Sequence, residues 1–373
     1  MNFSISKYVL SSTLNIVAKA ISNVAPLPAL SGVKIDVRGN QIILTGSDSN
    51  LSIKTTISAE DEKNKLFIFE EGSVVIDVRY ISEIVRKLDG EIVTITTIDG
   101  TLMSIKGLNA EFKINGMRAN DYPDIDFNFR NSLFKLETKT FEDIVRQTAF
   151  ACSEKDIVPS LTGVNFVAKG DEMVCNASDS YRLSCKRINL ESPQNFNIII
   201  PAKTLNDIAS ILGETKEFEL SIDDNNIFFI TEEVIIRARL IEDAYRDVSK
   251  LLPSTFAQEL EINAKILLDA VDRASFIKYE GKSLVKLEIF EDKVDITSYS
   301  QEIGSSHESL PLISYRGNPI KISCSGKYLS DAVKALRSEE IVLGFSGELR
   351  PIILKKKNSD DIIQLISPVR SYN

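Results

Sequence analysis

The sequence predicts an α+β protein made of three tandem copies of one module, in which two helices pack on antiparallel sheets. Three observations support this prediction. The length of 373 residues exceeds the roughly 250–300 at which a single hydrophobic core stops growing. One helical segment recurs at a fixed spacing along the chain. Short apolar or β-branched runs, separated by turn residues, lie between the predicted helices.

The second helix of each module is the clearest repeat. It covers residues 77–88, 201–212 and 325–336, each copy 124 positions after the last and without a gap. Apolar residues follow the i, i+3, i+7 spacing of an amphipathic helix. They are Ile81, Ile84 and Leu88 in the first copy, Leu205, Ile208 and Leu212 in the second, and Leu329, Ala332 and Leu336 in the third. One face of each helix is therefore predicted to pack on a core.

A basic residue stands two positions before this apolar stripe in every copy: Arg79, Lys203 and Lys327. The first turn of a helix mildly disfavours a cation because of the helix dipole. The repetition therefore hints at a role other than helix stability. A solvated surface charge is the alternative at any single position, and the sequence leaves both interpretations open.

A first helix precedes each of these, at residues 6–21, 138–152 and 264–279, with Thr138 as a candidate N-cap. Strands are predicted at residues 33–37, 41–45, 91–98, 102–105, 221–230, 234–240, 285–289, 293–299, 341–345 and 351–354. Several are separated by hairpin-type turns, which indicates antiparallel pairing instead of βαβ units. We expect three domains, at residues 1–127, 128–253 and 254–373.

Composition and charge narrow the class of protein. Hydrophobic residues make up 43% and charged residues 26%, which fits ordinary globular folding. The N-terminus lacks a signal-peptide pattern, and no apolar run reaches the ~18 residues of a membrane span, so we expect a cytoplasmic protein without membrane contact. A net charge of −9 argues against general affinity for nucleic acid, but an acidic exterior is compatible with one basic face.

Catalytic and metal-binding patterns are missing from the sequence. His307 is the only histidine and lies in a polar stretch, residues 304–309, of loop character. Cys152, Cys175, Cys185 and Cys324 form no CxxC pair, and no dinucleotide, P-loop or zincin motif occurs. Paired acids at residues 223–224 and 360–361 are expected to cap or solvate turns. We therefore predict reduced cysteines, no cofactor, no metal and no catalytic residue.

Five short stretches together resemble the bacterial sliding clamp, the β subunit of replicative DNA polymerase III. They are residues 25–30 (APLPAL), 44–48 (LTGSD), 177–183 (ASDSYRL), 200–203 (IPAK) and 367–370 (SPVR). Their order and spacing, the chain length and the threefold repeat all agree with that family. The resemblance covers the whole chain.

The resemblance implies a head-to-tail homodimer that closes into a ring of six similar domains around duplex DNA. Helices would line the hole, and DNA would pass without sequence readout. Such a ring needs only modest attraction to phosphates, since tight binding would hinder sliding. Carried onto this sequence, the DNA-binding residues are Arg79, Lys155, Lys203, Lys327 and Tyr328.

The family also implies an apolar pocket for short linear motifs of the polymerase III catalytic subunit, the clamp loader, and other polymerases and repair proteins. Arg182 and Arg370 would orient polar groups of the peptide, and aliphatic walls would bury its apolar side chains. For Leu161 and Leu183, core packing is the alternative. The pocket residues would be Leu161, Ser178, Ser180, Tyr181, Arg182, Leu183, Lys250, Leu251, Leu349, Pro351, Pro368, Val369 and Arg370.

The subunit contact implied by the resemblance has Phe112 on one chain and Phe276 and Ile277 on the other. The sequence departs from the family at Val24, where relatives often carry an Arg near DNA, at Arg246, which replaces a common Pro, and at an extension of residues 371–373. These departures concern the DNA contacts and the pocket rim.

Three functions are weighed. A non-enzymatic sliding clamp agrees with the three aligned bases. A ring or solenoid that binds only proteins predicts no basic face on the repeated helices. An enzyme on a repeated scaffold requires one convergent cluster of acids or His307.

Overall fold

The computed structural model describes residues 1–22, 27–129, 133–213, 215–253, 255–279 and 281–370. Val24 and residues 371–373, two of the departures named above, lie outside the described residues. Backbone contacts divide the chain into two compact units. The first unit is Met1–Thr138 with Asp207–Leu240, and the second unit is Lys139–Asn206 with Ile241–Asn373.

Each copy has one strand before its first helix, further strands between its two helices and three strands after its second helix. The first copy contains β1 (Asn2–Ser6), α1 (Lys7–Ala18), β2 (Gly32–Arg38), β3 (Gln41–Ser47), β4 (Leu51–Ser58), β5 (Phe67–Glu70), β6 (Gly72–Asp77), α2 (Val78–Lys87), β7 (Ile92–Asp99), β8 (Leu102–Lys106) and β9 (Glu111–Asn115). The middle copy contains β10 (Phe134–Glu137), α3 (Thr138–Thr148), β11 (Gly163–Ser178), β12 (Arg182–Pro201), α4 (Ala202–Leu212), β13 (Glu217–Ile222), β14 (Asn226–Ile230) and β15 (Val234–Arg239). The last copy contains β16 (Gln258–Asn263), α5 (Ala264–Ala274), β17 (Lys278–Tyr279), β18 (Lys282–Ile289), β19 (Val294–Ser300), β20 (Gly304–Leu310), β21 (Ser314–Arg316), β22 (Ile320–Ser325), α6 (Gly326–Leu336), β23 (Glu340–Phe345), β24 (Ile352–Lys356) and β25 (Ser359–Ile366).

The predicted repeat is confirmed by the second helices. They begin at Val78, Ala202 and Gly326, so their starts keep the spacing found in the sequence. All nine residues of the predicted apolar stripe are buried. The amphipathic pattern therefore identified the packed face correctly.

The strands form antiparallel sheets that join neighbouring copies. In the first unit, the order is β10-β13-β14-β15-β4-β3-β2-β6 in one sheet and β5-β1-β7-β8-β9 in another. In the second unit, it is β11-β12-β25-β24-β23-β16-β21 in one sheet and β17-β18-β19-β20 in another, with β22 beside β18. The middle copy thus shares one sheet with the first copy, through β15 and β4, and one with the last copy, through β12 and β25.

The core of the second unit shows how a module is held together. Leu267 and Val271 of α5 and Leu329 and Val333 of α6 are fully buried in one cluster. Strand residues of both sheets in this unit, among them Leu287 and Leu343, belong to the same cluster. The helix pair is thus stabilised by apolar burial against strands of both sheets.

Some predicted elements differ from the structure. The long hairpin of β11 and β12 was missed, and residues 304–309, predicted as a loop around His307, lie in strand β20. This strand is rich in serine and lacks the apolar alternation by which strands are recognised. The Thr138 hydroxyl is buried and has no hydrogen-bond partner among the described residues, so the predicted N-cap there is wrong. The first helices also end three to five residues earlier than predicted.

Candidate functional site

The repeated base of the first copy, Arg79, is held by its own helix cap. Asp77 caps α2 by accepting a hydrogen bond from the Arg79 backbone N–H at 2.9 Å. Its other carboxylate oxygen lies 2.7 Å from Arg79 Nη2. The side-chain hydrogen bond from Arg79 holds the pKa of Asp77 below its usual value. The positive charge of Arg79 is therefore compensated within the first turn.

The equivalent bases of the other copies are differently placed. Lys203 and Lys327 are exposed, and neither has an ion-pair partner within the described part of the chain. The reason is local, because Pro201 and Ser325 occupy the positions that match Asp77. Lys155 is likewise exposed, in a loop where its backbone N–H donates to Ser153 Oγ at 3.2 Å. No ion pair among the described residues compensates the charge of these lysines.

Tyr328, the remaining predicted DNA contact, is half-buried. Its ring lies 4.5 Å from the Arg182 guanidinium carbon. Burial raises the pKa of its hydroxyl. One face of the ring is therefore occupied by Arg182.

Two exposed lysines on the helices were missed by sequence reasoning. Lys139 lies in the first turn of α3 and Lys334 in the last turn of α6, and neither forms an ion pair with any described residue. Other helix bases are paired, such as Lys265 with Asp269 at 3.1 Å. The sequence could have identified Lys139 by its position, because Lys139 and Lys265 each lie in the first turn of the first helix of their copy.

All the predicted pocket residues belong to the second unit. The turn between β11 and β12 is fixed by hydrogen bonds. Ser178 Oγ donates to the Arg182 carbonyl at 2.7 Å, and Asp179 Oδ1 accepts from the backbone of Tyr181 at 2.9 Å. Ser180 takes a left-handed conformation with φ of 78°. This turn leaves the side chain of Tyr181 exposed.

Arg182 lies behind this turn and is only 7% exposed. Its guanidinium donates to Asp179 Oδ2 at 3.0 Å, to Asp331 Oδ2 at 2.8 Å and to the Phe150 carbonyl at 2.5 Å. It also lies over the rings of Phe150 and Tyr328. Since each of its nitrogens already donates to a neighbour in the chain, Arg182 is placed to support the turn from behind.

A row of apolar side chains crosses the sheet next to Arg182. Leu183, Leu365 and Ile353 lie side by side on β12, β25 and β24 and form a buried cluster. Half-buried Val248, Leu252 and Phe256, from the segment that follows the middle copy, pack against it. Leu183 is therefore buried within this cluster, as the core-packing alternative expects.

Several apolar residues that lie near this cluster, either in sequence or in the fold, are exposed. The Ser367 N–H donates to the Tyr181 carbonyl at 2.8 Å, and the Val369 N–H donates to the Ser323 carbonyl at 2.7 Å, which fixes the segment after β25 beside the turn. Leu251 and Leu349 are also largely exposed. Pro351 directly precedes β24, and both Pro351 and Pro368 are half-buried. Leu161 is half-buried, whereas Lys250, Arg370 and the divergent Arg246 are exposed.

The residues predicted for the subunit contact differ in exposure. Phe112 is partly exposed on β9, a terminal strand of its sheet in the first unit. In the second unit Phe276 is 80% exposed, whereas its neighbour Ile277 is 9% exposed. Ile277 is therefore a core residue of the chain as described.

The structure also places the residues considered as metal ligands or catalytic groups. No cluster of three or more His, Cys, Asp or Glu in these residues could hold a metal ion. All four cysteines are free and buried, and burial raises the pKa of Cys152 and Cys324 to about 12. His307 is exposed, 3.9 Å from Asp295. Asp223 caps its hairpin turn as predicted, whereas Asp361 lies in β25 and pairs with Lys186.

A cavity of about 380 Å³ lies in the first unit, away in sequence from every predicted site residue. Its lining includes Asp126, Asp223, Asn226 and Arg237. Asp223 and Asn226 are occupied by hydrogen bonds of the hairpin turn, and Arg237 donates to Asn226 at 3.1 Å. In the described part of the chain, no helix has the length and apolar character needed to cross a membrane.

Known proteins match this chain along its whole length. The family models for the N-terminal, central and C-terminal domains of the DNA polymerase III beta subunit match residues 1–126, 135–247 and 249–370. The chain is 36% identical to the beta sliding clamp of Staphylococcus epidermidis and 35% identical to that of Staphylococcus aureus, with full coverage of both partners in each case. The crystal structure of the Bacillus subtilis DNA polymerase sliding clamp superposes with a TM-score of 0.96 at 34% identity, again over the full length of both chains.

A threefold α+β repeat with helix pairs packed on antiparallel sheets defines the sliding-clamp class of fold. The chain belongs to the DNA polymerase III beta subunit family.

Proposed function

We propose that this chain is a non-catalytic processivity factor that closes as a head-to-tail homodimer around duplex DNA. The observation that carries the ring is the pairing rule between copies. The third strand after the second helix of one copy pairs with a strand of the preceding copy: β15 with β4, and β25 with β12. The equivalent strand of the first copy is β9, and it ends its sheet.

The last copy offers the complementary strand. By the order of elements, β20 of the last copy corresponds to β4 of the first, and β20 also ends its sheet. A second chain would supply the missing partner for each strand, so β9 of one protomer would pair with β20 of the other. Such a contact is heterologous, and it closes into a ring of six domains if the rotation permits. Phe112 lies on β9, which supports its place at this contact.

Lysines without an ion-pair partner among the described residues support the DNA-binding role. Lys203 and Lys327 recur at one position of the module, and Lys139, Lys155 and Lys334 add charge. The net charge of −9 leaves the rest of the surface acidic. Weak phosphate contacts of this kind carry no sequence information and permit sliding. A protein that acts on duplex DNA together with these polymerases would work in the cytoplasm.

The exposed apolar residues of the second unit support a peptide-binding pocket. Tyr181, Leu251, Leu349 and Val369 would contact apolar side chains of short motifs carried by the polymerase III catalytic subunit, the clamp loader, and other polymerases and repair proteins. Arg182 would position the turn that carries Tyr181, and Arg370 would contact polar groups of the peptide.

The test is topological. The protein is loaded by a clamp loader onto nicked circular DNA, the circle is linearised, and retention is measured at moderate salt. Retention on circles with loss from linear ends supports the proposal. Equal retention on both forms would indicate ordinary phosphate binding and contradict the ring. No retention on either form, with an intact dimer and an active loader, would favour a scaffold that binds only proteins.

A further inference from the structure

Strand β5 presents an exposed apolar edge that the proposed function does not use. It is the terminal strand of its sheet in the first unit and pairs with β1 alone among the described strands. Phe67 and Phe69 are 64% and 67% exposed. Phe67 lies opposite Ser4, whereas Phe69 lies at a register shift between Ile68 and Glu70 and has no register partner on β1. Two large apolar side chains on a free strand edge are unusual, because such edges invite pairing with another chain.

The last copy provides an internal comparison. Strand β21 pairs with β16 as β5 pairs with β1, and each pairing joins a terminal strand to the strand before the first helix. On β21, the two outward positions are polar and occupied. Ser314 donates to Glu261 at 3.0 Å, and Arg316 lies 3.1 Å from Glu259.

On β5, the outward residue opposite Ser4 is Phe67, and Ile68 faces inward opposite the buried Phe3. The same place in the module is thus protected by polar pairs in one copy and left apolar in the other. The fold itself therefore does not require phenylalanine at this edge.

The charge around β5 restricts what could bind there. Residues 60–71 contain five acids and two lysines. Lys65 is already paired with Glu91 at 2.9 Å, and Lys63 with Asp61 at 2.9 Å. Glu70 is exposed beside the N-terminal ammonium at 3.6 Å, and Glu71 accepts from the Gly39 N–H at 2.7 Å. A nucleic acid would be repelled by this surface, whereas a basic polypeptide would be attracted.

We propose that the free edge of β5 takes up an extended segment of a partner protein as an additional strand. The segment carries bulky apolar residues at alternate positions, which contact Phe67 and Phe69, and Lys or Arg at its ends, which face Glu70 and Glu71. Backbone hydrogen bonds to the edge supply affinity, and the alternating side chains supply selectivity. This surface belongs to the first unit, whereas the pocket residues belong to the second.

A synthetic probe tests the proposal on the full chain. The probe is a capped peptide with alternating isoleucine and threonine between pairs of lysines, and binding is measured by fluorescence anisotropy. The double variant Phe67→Ser with Phe69→Ser is expected to weaken binding at least tenfold. The control Tyr8→Ser removes an aromatic side chain that is 79% exposed and belongs to neither proposed peptide surface, and it should leave binding unchanged. Glu70→Lys is expected to weaken binding and to reduce its dependence on salt.

Two further measurements separate strand addition from apolar adhesion. A probe N-methylated at alternate residues loses backbone donors and should bind at least tenfold more weakly. Amide hydrogen exchange of residues 67–70 should slow when the unmodified probe is bound. The proposal is overturned if the methylated probe or the double variant binds as well as the original pair. It is equally overturned if the chain itself associates further through β5, seen as a mass increase that the double variant abolishes.

Discussion

Arg182 was predicted as a peptide contact, but its side chain lies behind the proposed binding surface. Its guanidinium is buried with Asp179, Asp331 and the Phe150 carbonyl as acceptors. A buried cation is tolerated only when it is paired and hydrogen-bonded. The pairing ties the β11–β12 turn to helix α6, so the position of Tyr181 depends on Arg182.

Truncation of Arg182 should therefore lower stability and peptide binding together. Arg182→Ala leaves Asp179 and Asp331 without their partner, and we expect a loss of about 3–5 kcal/mol in the free energy of unfolding. Arg182→Lys should lose part of this, because an ammonium cannot reproduce the guanidinium fork. Urea unfolding and titration with a polymerase-derived motif peptide measure the two effects.

The exposed residues of the proposed pocket should behave differently from Arg182, because they can affect peptide binding without affecting stability. Leu349→Ala should weaken peptide binding about tenfold or more while the unfolding midpoint stays unchanged, because the side chain is already in water. If Arg182→Lys weakened peptide binding without changing the free energy of unfolding, Arg182 would be a direct contact and not a positioning residue.

Asp361 should make the second unit sensitive to acid. Burial opposes its ionisation, but hydrogen bonds from Lys186, Ser359 and Lys356 outweigh this and hold its pKa well below the usual value. A depressed pKa in the folded state contributes stability above the unfolded pKa of about 3.9, and this stability is lost as the pH falls from there towards the folded pKa. Asp361→Asn should cost roughly 1–3 kcal/mol at pH 7, and this difference from the unaltered protein should shrink below about pH 4. Unfolding curves between pH 7 and pH 3 test this; a constant difference over that range would contradict it.

At this scale the sequence had clear limits. It placed Arg182 in the pocket region but could not reveal its partner Asp331, which lies 149 residues away. It also grouped Phe276 with Ile277, although one is exposed and the other buried. Adjacent apolar residues after a helix cannot be assigned to core or surface until the packing is known.

Among the elements, the first turns of α2, α4 and α6 carry a basic residue at the same position but in different settings. Asp77 neutralises Arg79, whereas Lys203 and Lys327 have no ion-pair partner in the described residues. We expect Lys203→Ser and Lys327→Ser each to reduce the slope of log affinity against log salt by up to about 0.9, and Arg79→Ser to reduce it less. Binding to short duplex DNA at several salt concentrations measures these slopes.

Asp77→Ser is the matched gain-of-charge variant. Serine retains N-capping, as Ser325 does for α6 with the Tyr328 N–H at 3.3 Å, so α2 should remain folded. Release of Arg79 should then strengthen duplex binding and steepen the salt slope. An unchanged slope would show that α2 does not face DNA.

The helices were more predictable than the strands for a physical reason. A stripe such as Ile81, Ile84 and Leu88 records one buried face over several turns, and its repetition identified the module. Strand β20 has no such record, because its serines and His307 lie on a polar, terminal strand. The long hairpin of β11 and β12 was missed although it carries many buried residues, since the register shift after Gly170 and the turn at Ser180 were not recognised.

Across the whole molecule, the copies are joined by shared sheets and not by linkers alone. Each joint pairs strands that are distant in sequence, as Ile236 of β15 with Ile53 of β4 shows. Each shared sheet pairs, by backbone hydrogen bonds, the third strand after the second helix of one copy with a strand of the preceding copy. Three copies in one chain form two such pairings, so one strand of each kind is left over. Strands β9 and β20 are the two strands left over, and each ends its sheet among the described strands.

If the proposed ring forms, its closure should be separable from the folding of the chain. Phe112→Asp and Phe276→Asp place a charge on exposed positions, so each protomer should keep its unfolding midpoint while the dimer dissociates, with a cost of about 2 kcal/mol or more at the interface. Ile277→Asp buries an unpaired carboxylate and should instead destabilise the fold itself. Sedimentation together with thermal unfolding distinguishes the two effects. A dimer that survived both phenylalanine substitutions would move the contact away from Phe112 on β9 and from Phe276 after α5. A folded monomer that no longer stays on circular DNA would tie retention to ring closure.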